Sequence, residues 1–385
     1  MAVQSEDSGC AEAAGDPVAL SRKEYSVSSR AAVLEGPRRL QLRRIAIPDE
    51  LPAGAALVRI EGGGMCGTDV HQYRGLAGAA GQPPPYPMVL GHEPVGVIER
   101  LSPDASPGWG VSVGDRVAVE PTASCGVCPR CAAGQRHQCP DRQVYSYLPI
   151  DRAPSLWGAY ADYLVVLPGT VLHPMPAHVE IADAVFFNPL AAALSWTIDV
   201  GGTQRGEDVL VIGPGQRGLA SIIALKEAGA GRIIVAGRER DGRKFDIARS
   251  LGATDVLEDL DVADAVLDIT GGRGVHRAFD FTPAPDALRL AVAATGRGGT
   301  VMYVARHGEA GLPADDLLRK ELTVKTALGA ESAAFAQAVA VLASGRHDLS
   351  ALHTHRIGLD DVDLAVRILA GEVDGQDAIH VTVVP

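Results

Sequence analysis

The sequence predicts an α/β chain of two bodies, one β-rich and barrel-like, the other a doubly wound parallel sheet. A change of texture near residue 188, a glycine motif between an apolar strand and a helix, and four clustered cysteines carry this expectation. From residue 31 to 166, short β-type runs at 56–60, 94–98 and 115–119 are broken by Gly and Pro, as in a small barrel. From 188 to 325, strands alternate with helices, the pattern of a parallel sheet with crossover helices. The remainder is mixed: a helix at 332–344, a strand at 354–357, a helix at 359–370 and a last strand at 379–384. It is expected to return to the first body. The implied division is an extension at 1–28, a first domain from 29–187 and 327–385 with a cysteine lobe at 121–140, and a second domain at 188–326.

Bulk properties narrow the function. A length of 385 residues suffices for two cores. A net charge of -12 argues against nucleic acid or an anionic membrane as partner, since both need a basic face. No apolar run is read as reaching the 18 or so residues of a membrane helix. Residues 1–28 are rich in Ala, Ser, Gly and acidic groups, with neither the apolar core of a signal peptide nor an Arg-rich transit pattern. They read as a flexible extension containing Cys10, and the chain is expected in the cytoplasm.

The lobe reads Cys125-x2-Cys128-x2-Cys131-x7-Cys139. Four thiolates can close a tetrahedral shell around Zn2+, and a shell without an open position is structural. Disulfides do not suit a reducing compartment. Ferredoxin spacing leaves three residues before the last Cys-Pro, where this chain has seven. Upstream stands a different constellation: Cys66, His92 and Glu93.

The dinucleotide signal starts with a buried strand at 208–212, followed by Gly213-Pro-Gly215-Gln-Arg217-Gly218 and a helix at 219–228 that Gly229 stops. Gly213 permits the tight turn, Gly215 admits the pyrophosphate and Gly218 lets helix and strand approach. The helix N-terminus offers N–H groups and positive dipole to the phosphates. Arg217 has two readings, a reach to the pyrophosphate or a solvent-facing role. The next strand ends in Gly237-Arg238, not in the carboxylate that would bind a free ribose 2′-hydroxyl, with Arg240, Arg243 and Lys244 following. Arg238 can pair with a 2′-phosphate, so NADP is favoured over NAD. The competing reading is a solvated helix face with Glu239 and Asp241 as partners.

Taken in order, Cys66-Gly-Thr68-Asp69-Val-His71, Gly91-His92-Glu93, the Gly-Asp-Arg-Val at 114–117, the cysteine lobe and the glycine motif resemble the zinc-containing medium-chain alcohol dehydrogenase family. The resemblance runs from about residue 30 to 385. It implies a GroES-like catalytic domain, a Rossmann domain and a cleft between them that holds a catalytic zinc, hence two zinc ions per chain. It also implies reversible hydride transfer between a nicotinamide and a secondary alcohol or polyol. By position, Cys66 and His92 match zinc ligands, Thr68 the hydroxyl that accepts the substrate proton and His71 the imidazole that passes it to solvent. Asp69 matches the carboxylate that orients His92, and Glu93 the glutamate beside the metal. His173, His178, His353 and His355 show no such pattern and are read as structural.

One position departs from the family. Where its members place a Cys, Glu or Asp as the last ligand, this chain has Asn188, a poor zinc ligand. Either Glu93 completes the shell, or Asn188 hydrogen-bonds a metal-bound water, or the metal is weakly held. The competing functions are a zinc-independent reductase of activated double bonds or quinones and a non-enzymatic cofactor-binding protein. The Cys66/His92 pair and the lobe oppose the first; intact Thr68, Asp69 and His71 oppose the second. The resemblance also implies a homo-oligomer, a dimer or tetramer, with contact through a Rossmann edge strand at 300–304.

Overall fold

Strand Ala56–Met65 organises the β-rich part of the computed structural model, which describes residues 27–76, 81, 83–105, 108–258, 261–305 and 311–385. One edge of this strand carries Glu93–Leu101, antiparallel. The other edge is shared: Tyr163–Val166 pairs with Ala56 to Arg59, and the C-terminal His380–Val384 pairs with Gly63 to Met65. His353–Gly358 then adds parallel to His380–Val384. The chain's end is thus built into the sheet that begins near its start. Ser28–Gly36, Arg39–Ala46 and Met88–Val89 form a small separate sheet. Most of the expected extension, with Cys10, lies outside the described residues.

The second body is a Rossmann sheet of six parallel strands. Their spatial order is Asp255–Glu258, Ile233–Gly237, Val209–Ile212, Val275–Asp280, Thr295–Tyr303, Thr323–Thr326. Val209–Ile212 is first in sequence yet central in space, so the order reverses beside it and opens a crevice at its C-terminal end. All four of its residues are buried, which explains the unbroken apolar run. The strand expected at the edge, around 300–304, is internal; the edges are Asp255–Glu258 and Thr323–Thr326. The edge implied by the resemblance is one strand short, because Thr323–Thr326 adds parallel outside Thr295–Tyr303.

The two bodies meet on a helical run longer and more apolar than the sequence reading allowed. Ile181–Val200 spans 20 residues, and its most apolar 18-residue window has a mean hydropathy of 1.4, enough by length and composition to cross a membrane. Inside this protein 78% of that window is buried, and that burial accounts for its apolar content. Its side chains join Val95 and Ala118 of the β-rich part to Val209, Leu219 and Phe279 of the Rossmann part in one cluster of buried residues. From Ser195 to Val200 the run widens into a π-helical turn that carries Trp196.

Far from this cluster, Glu372 fastens the C-terminal segment to the front of the molecule. Its carboxylate accepts from Arg38 at 2.8 and 2.9 Å and from Arg74, which caps helix Gly67–Tyr73, at 2.7 and 3.1 Å. Those hydrogen bonds hold the Glu372 pKa down at about 2. A carboxyl depressed by folding stabilises the protein above its unfolded pKa, and the contribution fades as pH falls through the folded value. Glu372→Gln is therefore expected to lower the denaturation midpoint at pH 7. The gap from the parent should narrow between pH 4.5 and about 2, as denaturant titrations across that window will read.

Candidate active site

Strand register builds the site. Gly64 lies opposite Glu93, so the turn after Met65 and the turn before Glu93 end side by side. Cys66 follows the first strand and His92 precedes the second. Gly91 makes this approach possible: its φ is +91°, and a Cβ there would stand 2.7 Å from the Tyr160 ring. One ligand atom each from Cys66, His92 and Glu93 lies within 4.8 Å of the others, and all three residues are buried.

Helix Gly67–Tyr73 starts at this point, with Cys66 as its N-cap. Asp69, in the first turn, accepts the Cys66 N–H at 2.8 Å and the Tyr160 O–H at 3.1 Å through Oδ2. Its Oδ1 stands 3.5 Å from His92 Nδ1, which leaves the other ring nitrogen for a metal. One carboxylate therefore caps the helix and faces the imidazole. Thr68 Oγ1 is 3.7 Å from Cys66 Sγ. His71 is three residues on, along the same helix face.

Charge is concentrated here. Burial raises the Cys66 thiol pKa, but the Arg217 charge and His92 outweigh it and bring it down to about 6. Burial and the neighbouring Cys66 push Glu93 up to about 8, despite Arg217. Burial opposes protonation of His92, yet the charge of Asp69 carries it well above the ordinary range. Glu93 Oε2 finds no hydrogen-bond partner among the described residues. A thiolate, an imidazole and a carboxylate, buried together with one oxygen unmatched, fit a divalent cation of the zinc type.

Arg217 follows neither of its sequence readings. It is the second residue of helix Gln216–Ala228, and its guanidinium reaches toward the metal cluster, not along the glycine turn. Nη2 lies 3.4 Å from Cys66 Sγ, 3.4 Å from Glu93 Oε1 and 3.3 Å from Asn188 Oδ1, while Nη1 donates to Asn188 O at 3.2 Å. The Trp196 ring lies 5.4 Å beneath it. The side-chain carbonyl of Asn188 is thus engaged by a cation from the facing helix. Nothing in the sequence pattern signals this contact, since a flexible arginine side chain can point several ways from one backbone position.

The lobe answers to its spacing. Cys125 Sγ is 3.5 Å from Cys139 Sγ and 4.0 Å from Cys131 Sγ, and all four sulfurs lie within 4.8 Å of one another. A tetrahedron with Zn–S bonds near 2.3 Å has edges of about 3.8 Å. The thiols fit a closed zinc site.

The glycine turn lies between strand Val209–Ile212 and helix Gln216–Ala228, as expected. A Cβ on Gly218 would stand 2.0 Å from Gly213 O, so only glycine permits this helix–strand approach. Beyond it opens a cleft of about 560 Å3 lined by Gly213, Gly237, Arg238, Arg240, Asp241 and Thr282, able to hold a nucleotide. Arg238 and Arg240 are exposed at its rim, and Asp241 Oδ2 accepts the Arg238 N–H at 3.1 Å.

Histidines set aside as structural include one linked pair. His353 Nε2 meets Asp183 Oδ1 at 2.6 Å, and its Nδ1 meets Nδ1 of buried His380 at 3.0 Å. The members are too far apart in sequence for spacing to reveal them. His173 bonds Glu120 at 2.8 Å.

Comparison with known proteins agrees with these features. The family model described as "Alcohol dehydrogenase GroES-like domain" matches residues 52–177, and the one described as "Zinc-binding dehydrogenase" matches residues 218–344. A probable alcohol dehydrogenase of Mycobacterium tuberculosis H37Rv is 37% identical, over 92% of this chain and 98% of its own. The sorbitol dehydrogenase of Bacillus subtilis is 29% identical, over 74% of this chain and 77% of its own. An alcohol dehydrogenase structure from Thermotoga maritima superposes with a TM-score of 0.83 at 25% identity, covering 93% of this chain and all of the other.

The double use of Asp69 gives a test. Asp69→Ala is expected to weaken zinc binding at Cys66/His92 about 10- to 100-fold. Competition with a chromophoric chelator will measure this, with binding at the four-cysteine lobe unchanged.

Proposed function

Because the chain belongs to the zinc-binding alcohol dehydrogenase family, we propose that it is a zinc- and nicotinamide-dependent oxidoreductase acting on a secondary alcohol or polyol, or the corresponding ketone. The observation that carries this reading is the open, buried cluster of Cys66, His92 and Glu93 beside Thr68, separate from the closed four-thiol lobe. A zinc-independent reductase has no use for such a cluster. The sorbitol enzyme among the relatives supports a polyol substrate.

Cys66, His92 and Glu93 would hold the catalytic zinc, which when bound acidifies a substrate hydroxyl, while the nicotinamide accepts the hydride. Thr68 takes the hydroxyl proton, and His71, on the same helix face, passes it outward. Asp69 holds the His92 ring in place, and Tyr160 holds Asp69. The Rossmann cleft seats the cofactor, with the phosphates at the N-terminus of helix Gln216–Ala228 and Arg238 at the ribose. We favour NADP because Gly237-Arg238 stands where a ribose-binding carboxylate would. The domain division at 29–187 with 327–385, and at 188–326, belongs to the same proposal. So do a cytoplasmic location and a homo-oligomer.

Elemental analysis is expected to find two zinc ions per chain. Cys66→Ser should retain one and lose oxidation of secondary alcohols; a parent carrying only the lobe zinc would defeat the proposal. Arg238→Ala is expected to raise KM for NADP about tenfold or more, the value of one charge-assisted hydrogen bond, and to leave KM for NAD unchanged in steady-state assays. Thr68→Ala should lower kcat about a hundredfold or more while both zinc ions stay bound.

A further inference from the structure

The contact between Arg217 and the metal cluster goes beyond anything the proposed function requires. A single nitrogen, Nη2, stands within 3.4 Å of the Cys66 sulfur and of one oxygen of the Glu93 carboxylate, both groups that the metal itself would use. The guanidinium is fixed there by more than charge. Both oxygens of Asn188 accept from it, and it lies over the Trp196 ring in the π-helical turn. Only 21% of the Arg217 side chain is exposed. A cation so held is part of the site's construction.

We infer that Arg217 is a resident counter-cation of the catalytic metal site, which stabilises the metal-free protein and weakens the hold on zinc. This rests on the reading of Cys66, His92 and Glu93 as zinc ligands. Without a metal, the Cys66 sulfur and the Glu93 carboxyl would lie buried beside Asp69, and any charge they carry is tolerated only when paired. Arg217 pairs with both. When zinc binds the same thiolate and carboxylate, two cations share one pair of anions, and their repulsion in a poorly screened interior works against the metal. Asn188 suits this arrangement: a carboxylate there would bind zinc and bind Arg217 as an ion, whereas an amide only anchors the arginine. The two positions together leave zinc with fewer anionic partners, which makes it a stronger Lewis acid and a less tightly held ion.

The test compares the full-length parent with Arg217→Met and Arg217→Gln, each prepared metal-free and zinc-loaded. Zinc affinity is read by competition with a chromophoric chelator, and thermal unfolding is followed on each form. Both variants are expected to bind the second zinc more tightly, on the order of tenfold. Their metal-free forms should melt lower than the metal-free parent, and their zinc-loaded forms close to the loaded parent. Arg217→Lys should fall nearer the parent. Unchanged or weaker zinc binding in a variant whose loaded form melts like the parent would overturn the inference; a merely structural role predicts lower melting for both forms and no gain in affinity. Cys66→Ser run alongside keeps the two readings apart. If it still binds two zinc ions, the ligand assignment fails, whatever Arg217 does.

Discussion

The pairing of Gly64 with Glu93 is the constraint on which the site depends. Side chains alternate along a strand, so a slip of one residue would turn Glu93 away from the cluster. The register is secured from both sides. Glu93–Leu101 holds one edge of Ala56–Met65, and the C-terminal strand His380–Val384 holds the other at Gly63 to Met65, immediately before Cys66. Residues some 300 positions apart in the chain therefore fix where a thiol stands relative to an imidazole.

Charge then decides what the buried cluster can do. Asp69 faces His92 and closes the first turn of the helix that carries Thr68 and His71, so these residues and the Cys66/His92/Glu93 cluster share one anchor. Arg217 enters from the opposite body, on the helix that begins at the glycine turn. The cofactor-binding half thus contributes a charge to a cluster whose ligands all belong to the other half. Asn188 and Trp196, on the helical run between the halves, hold that charge in place.

Much of this was legible in the sequence, because some physical demands leave local marks. Closed zinc coordination needs four thiols at short spacing, and a phosphate turn needs glycines between strand and helix; the four sulfurs converge and the glycine turn lies between strand and helix. The Cys66-Gly-Thr68-Asp69 order survives as a capped helix start. Other features depend on side-chain direction or on contacts distant in sequence. Arg217 could be placed on the glycine turn but not aimed. His353, His380 and Asp183 lie too far apart to be read as a group. The edge of the Rossmann sheet was misplaced by one strand, since the alternating pattern says which strands are parallel but not where the series stops. The run Ile181–Val200 was under-read because Asp183, Asn188 and Pro189 interrupt its apolar residues.

That run also limits how the molecule could be taken apart. Many two-domain chains join their halves by an exposed tether, which can be cut and resealed with another partner. Here the junction is a helix whose side chains belong to a core drawn from both halves. A chimera given a foreign nucleotide-binding half would have to import the matching helix face along with it. Otherwise it would leave an apolar groove open to water, with Asn188 and Trp196 missing their arginine.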